Sequence, residues 1–79
     1  MFYIRGMKNF DSTEFGKRLK QLMTETGMTQ SVLAAKIDVS QRTISKWLNG
    51  KSEPSAGGLF RLALFFDVSS DFLLGLSEI

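Results

Sequence analysis

The chain has 79 residues, with ten Lys and Arg against eight Asp and Glu, a formal net charge of +2, and no cysteine or histidine. This length allows one small domain. The missing thiols and imidazoles exclude a disulfide, a zinc site and a histidine-based catalytic base. No apolar run approaches the ~18 residues of a membrane span, and the first ten residues hold too short an apolar stretch for a signal peptide, so we expect a cytoplasmic protein.

Charge is unevenly distributed along the chain. Residues 1–66 carry all ten basic residues and five acids, whereas residues 67–79 carry three acids and no base. Between Ser40 and Lys51 there are three basic residues and no acid. A local basic patch on a nearly neutral protein is typical of a protein that contacts phosphates. Ordinary scatter of charge in a short chain is the alternative.

The amino-terminal segment, residues 1–10, has no helical period, and its apolar residues Phe2, Tyr3 and Ile4 predict a short strand or a flexible arm. The domain proper is expected to span residues 11–79. Asp11 and Glu14 have the spacing of a capping box at the start of a first helix.

The first helix has a clear apolar face and a clear end. Phe10 and Phe15 stand where a hydrophobic staple places them. Gly27 is expected to end the helix near residue 26. The buried stripe is predicted to consist of Phe15, Leu19, Leu22 and Met23.

The stretch from Thr29 to Gly50 contains two short helical patterns joined by a tight turn. Thr29 and Ser40 are predicted N-caps, Asp38 lies in the turn, and Gly50 stands where a glycine ends a helix. The apolar positions at helical spacing are Leu33, Ala34, Ile37, Ile44, Trp47 and Leu48.

One face of the second of these helices is rich in hydrogen-bond donors and lacks acids. It consists of Gln41, Arg42, Ser45 and Lys46. A DNA major groove admits one α-helix, and Gln, Arg and Lys match the acceptor edges of adenine and guanine. A merely solvated helix face is the alternative.

Two more helices are expected after the loop at residues 51–55. Pro54 and Ser55 predict the start of the fourth helix. Ser69 or Ser70 is predicted to cap a short fifth helix, which is expected to end at Gly75. The fourth helix carries more apolar surface than packing needs, which suggests an interface. We predict contacts between two copies of the chain through Phe60, Leu64, Leu73 and Leu76; burial of this patch under the amino-terminal arm is the alternative.

The spacing of Gln30, Ala34, Asp38, Ile44 and Trp47 resembles the helix-turn-helix of the Cro/phage-repressor family. The resemblance extends over roughly residues 12–76. It implies an all-α, five-helix lambda-repressor-like domain with a short amino-terminal arm. It also implies sequence-specific binding of double-stranded DNA by a homodimeric transcriptional regulator of repressor type.

The resemblance also assigns roles to residues. Base contacts are expected from Gln41, Arg42, Ser45 and Lys46. Contacts to the DNA backbone are expected from Thr29, Gln30, Ser40, Thr43, Asn49 and Lys51. No cofactor, metal or enzymatic activity is implied.

The chain departs from the family pattern at three positions. Asp38 stands where glycine is usual, so we expect some backbone strain in the turn. Met23 and Leu48 stand where the family often pairs Arg with Glu. Because both members of the pair are apolar, no buried charge is left unpaired.

Two other functions compete with DNA-binding regulation. An antitoxin or adaptor would use the apolar patch to bind a partner protein, with DNA binding secondary. An enzyme is disfavoured because the capping box explains the close carboxylates Asp11 and Glu14, and the sequence offers no nucleophile–base set or phosphate-binding glycine loop.

Overall fold

The computed structural model describes residues 9–78, and all regular structure in this range is helical. The helices are α1 (Ser12–Thr26), α2 (Gln30–Ile37), α3 (Gln41–Leu48), α4 (Ala56–Phe66) and α5 (Ser70–Leu74). The predicted all-α, five-helix fold is therefore confirmed. The strand or arm expected at Phe2–Ile4 lies outside the described residues.

Every one of these helices begins at a side-chain cap. The caps are Asp11, Thr29, Ser40, Ser55 and Ser69. Asp11 accepts from the backbone N–H groups of Thr13 and Glu14 at 3.0 and 3.1 Å. The reciprocal half of the predicted capping box is wrong, because the Glu14 carboxylate accepts from Lys17 Nζ at 3.2 Å instead. The phenyl rings of Phe10 and Phe15 lie 5.8 Å apart, as the predicted staple requires.

The helices end alike, with a left-handed residue directly after α1, α2, α4 and α5 and one residue further on, beyond Asn49, after α3. These residues are Gly27, Asp38, Gly50, Asp67 and Gly75. At each end the next N–H bonds the carbonyl five residues earlier, for example Val39 to Ala34 at 3.0 Å. This is the Schellman motif. The left-handed turn expected at Asp38 has φ 58°, and Asp67 repeats it with φ 55° at a position the sequence did not single out.

All five helices contribute buried side chains to one core. α1 packs against α3 and α5, and α2 packs against α3 and α4. The fully or almost fully buried apolar residues are Phe15, Leu19, Leu22, Met23, Leu33, Ala34, Ile37, Ile44, Trp47, Leu62 and Leu73. Leu73 is 0% exposed, so the prediction that it belongs to an interface between copies is wrong. Its position on the inner face of a five-residue helix makes it part of the core.

Two glycines bring neighbouring helices unusually close to α3. A Cβ on Gly16 of α1 would lie 2.6 Å from the carbonyl oxygen of Trp47. A Cβ on Gly58 of α4 would lie 3.1 Å from two carbons of the Trp47 ring. The position of α3 is therefore fixed from both sides by backbone approach as well as by the burial of Ile44 and Trp47.

Candidate nucleic-acid interface

The donor-rich face of α3 is exposed, as its amphipathic sequence predicts. Ile44 and Trp47 are buried on the inner side of the helix. Gln41, Arg42 and Lys46 are exposed on the outer side, and Ser45 is half-buried beside them. Because core packing holds the inner side, the outer side chains are presented on a rigid element.

The amino end of α3 is closed by a pair of hydroxyls. The Oγ of Ser40 accepts from the backbone N–H of Thr43 at 3.0 Å, and the two hydroxyl oxygens lie 2.9 Å apart. Their mutual bond uses one of the two hydroxyl protons. The other proton can be donated outward, so this pair can offer one hydrogen bond to a DNA phosphate.

The carboxyl end of α3 is closed by Asn49. Its Nδ2 donates to the carbonyl of Ser45 at 2.9 Å and lies 3.4 Å from Ser45 Oγ. An amide nitrogen carries two protons, and only the first of these contacts is short. Asn49 therefore closes this end of α3 mainly through the short bond to the Ser45 carbonyl, and the hydroxyl proton of Ser45 can be donated outward.

Three of the residues predicted to contact the DNA backbone meet in one surface depression. Thr29, Gln30 and Asn49 line it together with Lys20 of α1. Thr29 Oγ1 accepts from the N–H of Val32 at 3.3 Å and so caps the amino end of α2. Helix amino ends favour anions because their first N–H groups lack intrahelical partners. The depression therefore combines a helix amino end, two amides and a lysine.

Lys51 is placed by the turn that ends α3. Its N–H donates to the carbonyl of Lys46 at 2.9 Å, across the left-handed Gly50. Its side chain is exposed, but Lys51 does not line the depression that holds Asn49. Positive charge thus flanks α3 at both ends, with Arg42 in its first turn and Lys51 beyond its last.

The turn between α2 and α3 is tied to α4. Arg61 Nε donates to the carbonyl of Ile37 at 2.9 Å, next to the left-handed Asp38. Carbonyls in the last turn of a helix lack intrahelical partners, and arginine is a suitable donor to them. Arg61 therefore helps to hold α2, and with it the helix-turn-helix, against the rest of the domain.

The sequence did not predict the roles of four residues in this arrangement. Lys20 carries no signal beyond its charge, because any exposed lysine would look the same. Arg61 likewise gives no sign of its bond to a carbonyl 24 residues away. Gly16 did carry a signal, since a glycine in the interior of a predicted helix indicates close packing. Gly58 carries the same signal.

The predicted contact surface between copies is partly exposed. Phe60, Leu64 and Leu76 are 63%, 66% and 74% exposed, so they are free for such a role. Val32 on α2, which the sequence did not single out, is 44% exposed.

No group of His, Cys, Asp or Glu side chains among residues 9–78 could hold a metal ion. No helix in the same range has the length and apolarity needed to cross a membrane.

The family model "Helix-turn-helix" matches residues 19–73, which is more than two thirds of the chain. The chain belongs to the helix-turn-helix family. The resemblance drawn from Gln30, Ala34, Asp38, Ile44 and Trp47 is thereby confirmed.

Curated relatives of this helix-turn-helix chain are regulators by name. The chain is 41% identical over 66 residues to the "HTH-type transcriptional activator BcrR" of Enterococcus faecalis, covering 84% of this chain and 32% of that protein. It is 33% identical over 64 residues to the "HTH-type transcriptional regulator ImmR" of Bacillus subtilis, covering 81% of this chain and 50% of that protein. The chain therefore spans a third to a half of the length of these relatives.

A solved structure with the same fold contains DNA. The P22 c2 repressor in complex with a synthetic operator superposes on the helix-turn-helix chain with a TM-score of 0.73 at 28% identity, covering 76% of this chain and 91% of that one. The lambda-repressor-like fold class is thus confirmed by a structural neighbour as well as by the helices themselves.

Proposed function

We propose that the chain is a sequence-specific double-stranded DNA-binding domain of a transcriptional regulator. The observation that carries the proposal is the outer face of α3, where Gln41, Arg42 and Lys46 are exposed on a helix whose inner side is buried. An α-helix fits the major groove, and these three side chains are donors to base-edge acceptors. Because its target is DNA, the domain would act in the cytoplasm.

Phosphate contacts would orient α3 in the groove. The depression at the amino end of α2 would take one phosphate through Thr29, Gln30 and Asn49. The Ser40–Thr43 pair and Lys51 would contact the backbone at the two ends of α3. Such contacts set the register of the protein on the duplex and carry no sequence information themselves.

Two copies are expected to bind together, since one domain reads only a few base pairs. Paired domains of this class bind half-sites ~34 Å apart. The exposed Phe60, Leu64 and Leu76 are the proposed contact residues, without the buried Leu73.

One relative is named an activator and the phage protein a repressor, so proteins with this fold include both activators and repressors. Repression by this chain stays a prediction.

A protein-interaction module, of antitoxin or adaptor type, is the second candidate. The exposed Phe60 and Leu64 favour it, because two large apolar side chains one turn apart on a helix are suited to a protein partner. The donor-rich face of α3 favours DNA, since a module without a DNA target would gain nothing from keeping that face free of acids.

The test is selection of bound duplexes from a random library at a stated salt concentration. The proposal predicts enrichment of one short motif, repeated as an inverted pair at roughly one helical turn. Recovery of duplexes without any common motif, at a salt concentration where binding is still measurable, would reject sequence-specific recognition and favour the interaction module.

A further inference from the structure

The peptide group that joins Ile37 to Asp38 leads directly into the left-handed turn between α2 and α3. Its N–H donates to the carbonyl of Ala34 within α2, as the end of that helix requires. Its carbonyl accepts from Arg61 Nε of α4 at 2.9 Å. The same peptide group is therefore held from two directions, once by its own helix and once by a distant part of the chain.

The bond from Arg61 differs in range from the side-chain bonds that cap the helices. The caps at Asp11, Thr29 and Ser40 join residues two or three apart in the chain. The bond from Arg61 to the Ile37 carbonyl spans 24 residues. A cap fixes the end of one helix, whereas a bond between α2 and α4 fixes one helix relative to another.

Contacts within α4 place the Arg61 side chain for this bond. Gly57 stands one turn earlier on α4, and a Cβ there would lie 3.5 Å from Arg61 Nη1 and 3.8 Å from Nη2. The guanidinium therefore lies beside the first turn of its own helix, while Nε reaches the Ile37 carbonyl. Nε–H is one of five donors on the group. The bond thus needs a donor at this position of the side chain and does not need the positive charge itself.

The direction of α2 matters because both of its ends meet the candidate nucleic-acid interface. At the amino end, Thr29 and Gln30 line the depression that also holds Asn49 from the end of α3. At the carboxyl end, the turn at Asp38 leads into α3. The eight residues of α2 span about 12 Å, so a tilt at the carboxyl end displaces the amino end. α2 packs against α3 and α4, and its contact with α4 is therefore one of the two that set its direction.

We propose that Arg61 is a positioning residue for DNA binding. Its bond to the Ile37 carbonyl holds α2 at the angle at which the depression and the outer face of α3 reach one duplex together. The inference rests on the proposed function, since Arg61 acts through groups that the proposal assigns to DNA. Hydrogen bonds weaken steeply away from their preferred geometry, and phosphate contacts set the register of base reading. Loss of the bond should therefore lower affinity and base discrimination together.

Two substitutions of Arg61 separate the bond from the charge. Arg61→Gln removes the charge but keeps an N–H donor, because glutamine Nε2 is attached to Cδ as arginine Nε is. Arg61→Met removes the charge and the donor and keeps an unbranched apolar side chain. The glutamine variant should bind DNA like the unchanged chain, and the methionine variant should bind about fivefold more weakly.

Binding is measured on a single half-site duplex that the unchanged chain has selected from the random library, over a range of salt concentrations. Arg61→Gln should leave the slope of log K against log salt unchanged, because it removes no phosphate contact. Discrimination, the ratio of affinities for the selected duplex and a singly substituted one, should fall only in Arg61→Met. In the free proteins, the amide hydrogens of Asp38 and Val39 should exchange about fivefold faster in Arg61→Met, with exchange in α1 unchanged.

Leu73→Val controls for a general loss of stability. Leu73 is buried in α5, which packs against α1 and α4. The change removes one methylene from the core outside the helix-turn-helix. With the folded fraction taken from circular dichroism, the affinity of folded Leu73→Val should equal that of the unchanged chain.

A glutamine variant that binds like the unchanged chain, beside a weakened methionine variant, would support the positioning role. Equal weakening by both variants would overturn it, and a salt slope lowered by about 0.9 would then make Arg61 a phosphate contact. Unchanged binding by Arg61→Met would also overturn it, as would a loss in folded Leu73→Val as large as that in Arg61→Met. An unchanged chain that selects no common motif would overturn the proposed function and this role with it, whereas amide exchange at Asp38 would still report whether the bond holds the turn.

Discussion

Gly16 of α1 faces the carbonyl oxygen of Trp47 so closely that a Cβ at this position would lie 2.6 Å from it. A second carbonyl oxygen, that of Leu48, would lie 2.9 Å away. Both atoms belong to the backbone of α3, so a side chain on Gly16 can be accommodated only if one helix moves. This contact therefore determines where the last turn of α3 lies.

Replacing Gly16 by alanine should destabilise the domain. Alanine gains about 1 kcal/mol of helix propensity over glycine, but displacing α3 from the core should cost roughly 2 kcal/mol or more beyond that. Gly57→Ala is the matched control, because a Cβ there meets only the flexible Arg61 guanidinium at 3.5 Å. Denaturant unfolding should show a loss of stability for Gly16→Ala and a gain for Gly57→Ala. A gain in both would mean that α1 and α3 are not in close contact.

Met23 and Leu48 allow a test of packing between α1 and α3. Both line the depression beside α2, and Met23 is 7% exposed. Met23→Arg should lower the free energy of unfolding by roughly 3 kcal/mol, because it buries an unpaired charge. Adding Leu48→Glu should recover much of that loss by supplying a partner. A double variant no more stable than the sum of the single changes would mean that the two side chains do not interact.

The left-handed turn at Asp38 predicts opposite effects for two small residues. Glycine adopts φ 58° without steric cost, whereas alanine is strained there and lacks the short polar side chain that lets aspartate enter this region more easily. Asp38→Gly should leave stability unchanged or raise it by up to about 1 kcal/mol, and Asp38→Ala should lower it by about 1 kcal/mol. Equal thermal midpoints for the two variants would show that the turn does not depend on this conformation.

The caps and helix ends show how much of the fold could be predicted from the sequence. Caps and helix ends are local: Thr29 and Ser40 need only the next three residues, and Gly27, Gly50 and Gly75 need only their own φ. Contacts between distant parts of the chain were less accessible. Leu73 was assigned to the surface because apolar spacing in a five-residue helix cannot distinguish an inner from an outer face.

The candidate site was likewise predicted from the sequence only in part. The outer face of α3 followed from helical spacing, and its exposed Gln41, Arg42 and Lys46 agree with that prediction. The depression that joins Lys20 of α1 to Thr29 and Asn49 depends on how three helices pack. No periodicity within a single helix contains that information, so Lys20 could be recognised only in three dimensions.

The depression and Lys51 predict how binding responds to salt. Lys20→Ala and Lys51→Ala should each weaken binding alike on all duplexes, because phosphate contacts are independent of sequence. Each should also reduce the slope of log K against log salt by roughly 0.9, the contribution of one phosphate. Lys36→Ala, which removes another exposed charge outside this surface, is the control on a single half-site duplex. A slope that Lys20→Ala leaves unchanged would place that lysine away from the backbone.

The central claim is that the outer face of α3 reads base sequence, and Arg42 tests it most directly. Arg42 can donate two hydrogen bonds to guanine, an arrangement worth roughly 1–3 kcal/mol of discrimination, whereas Lys46 acts as a less selective point charge. The measurement is the binding of Arg42→Ala and Lys46→Ala to a panel of singly substituted operator duplexes, with circular dichroism to confirm folding. Arg42→Ala should relax preference at one or two positions of the half-site, and Lys46→Ala should lower affinity with a smaller change in preference. Equal weakening of every duplex by Arg42→Ala would make Arg42 a phosphate contact and contradict the assignment of this face to base recognition.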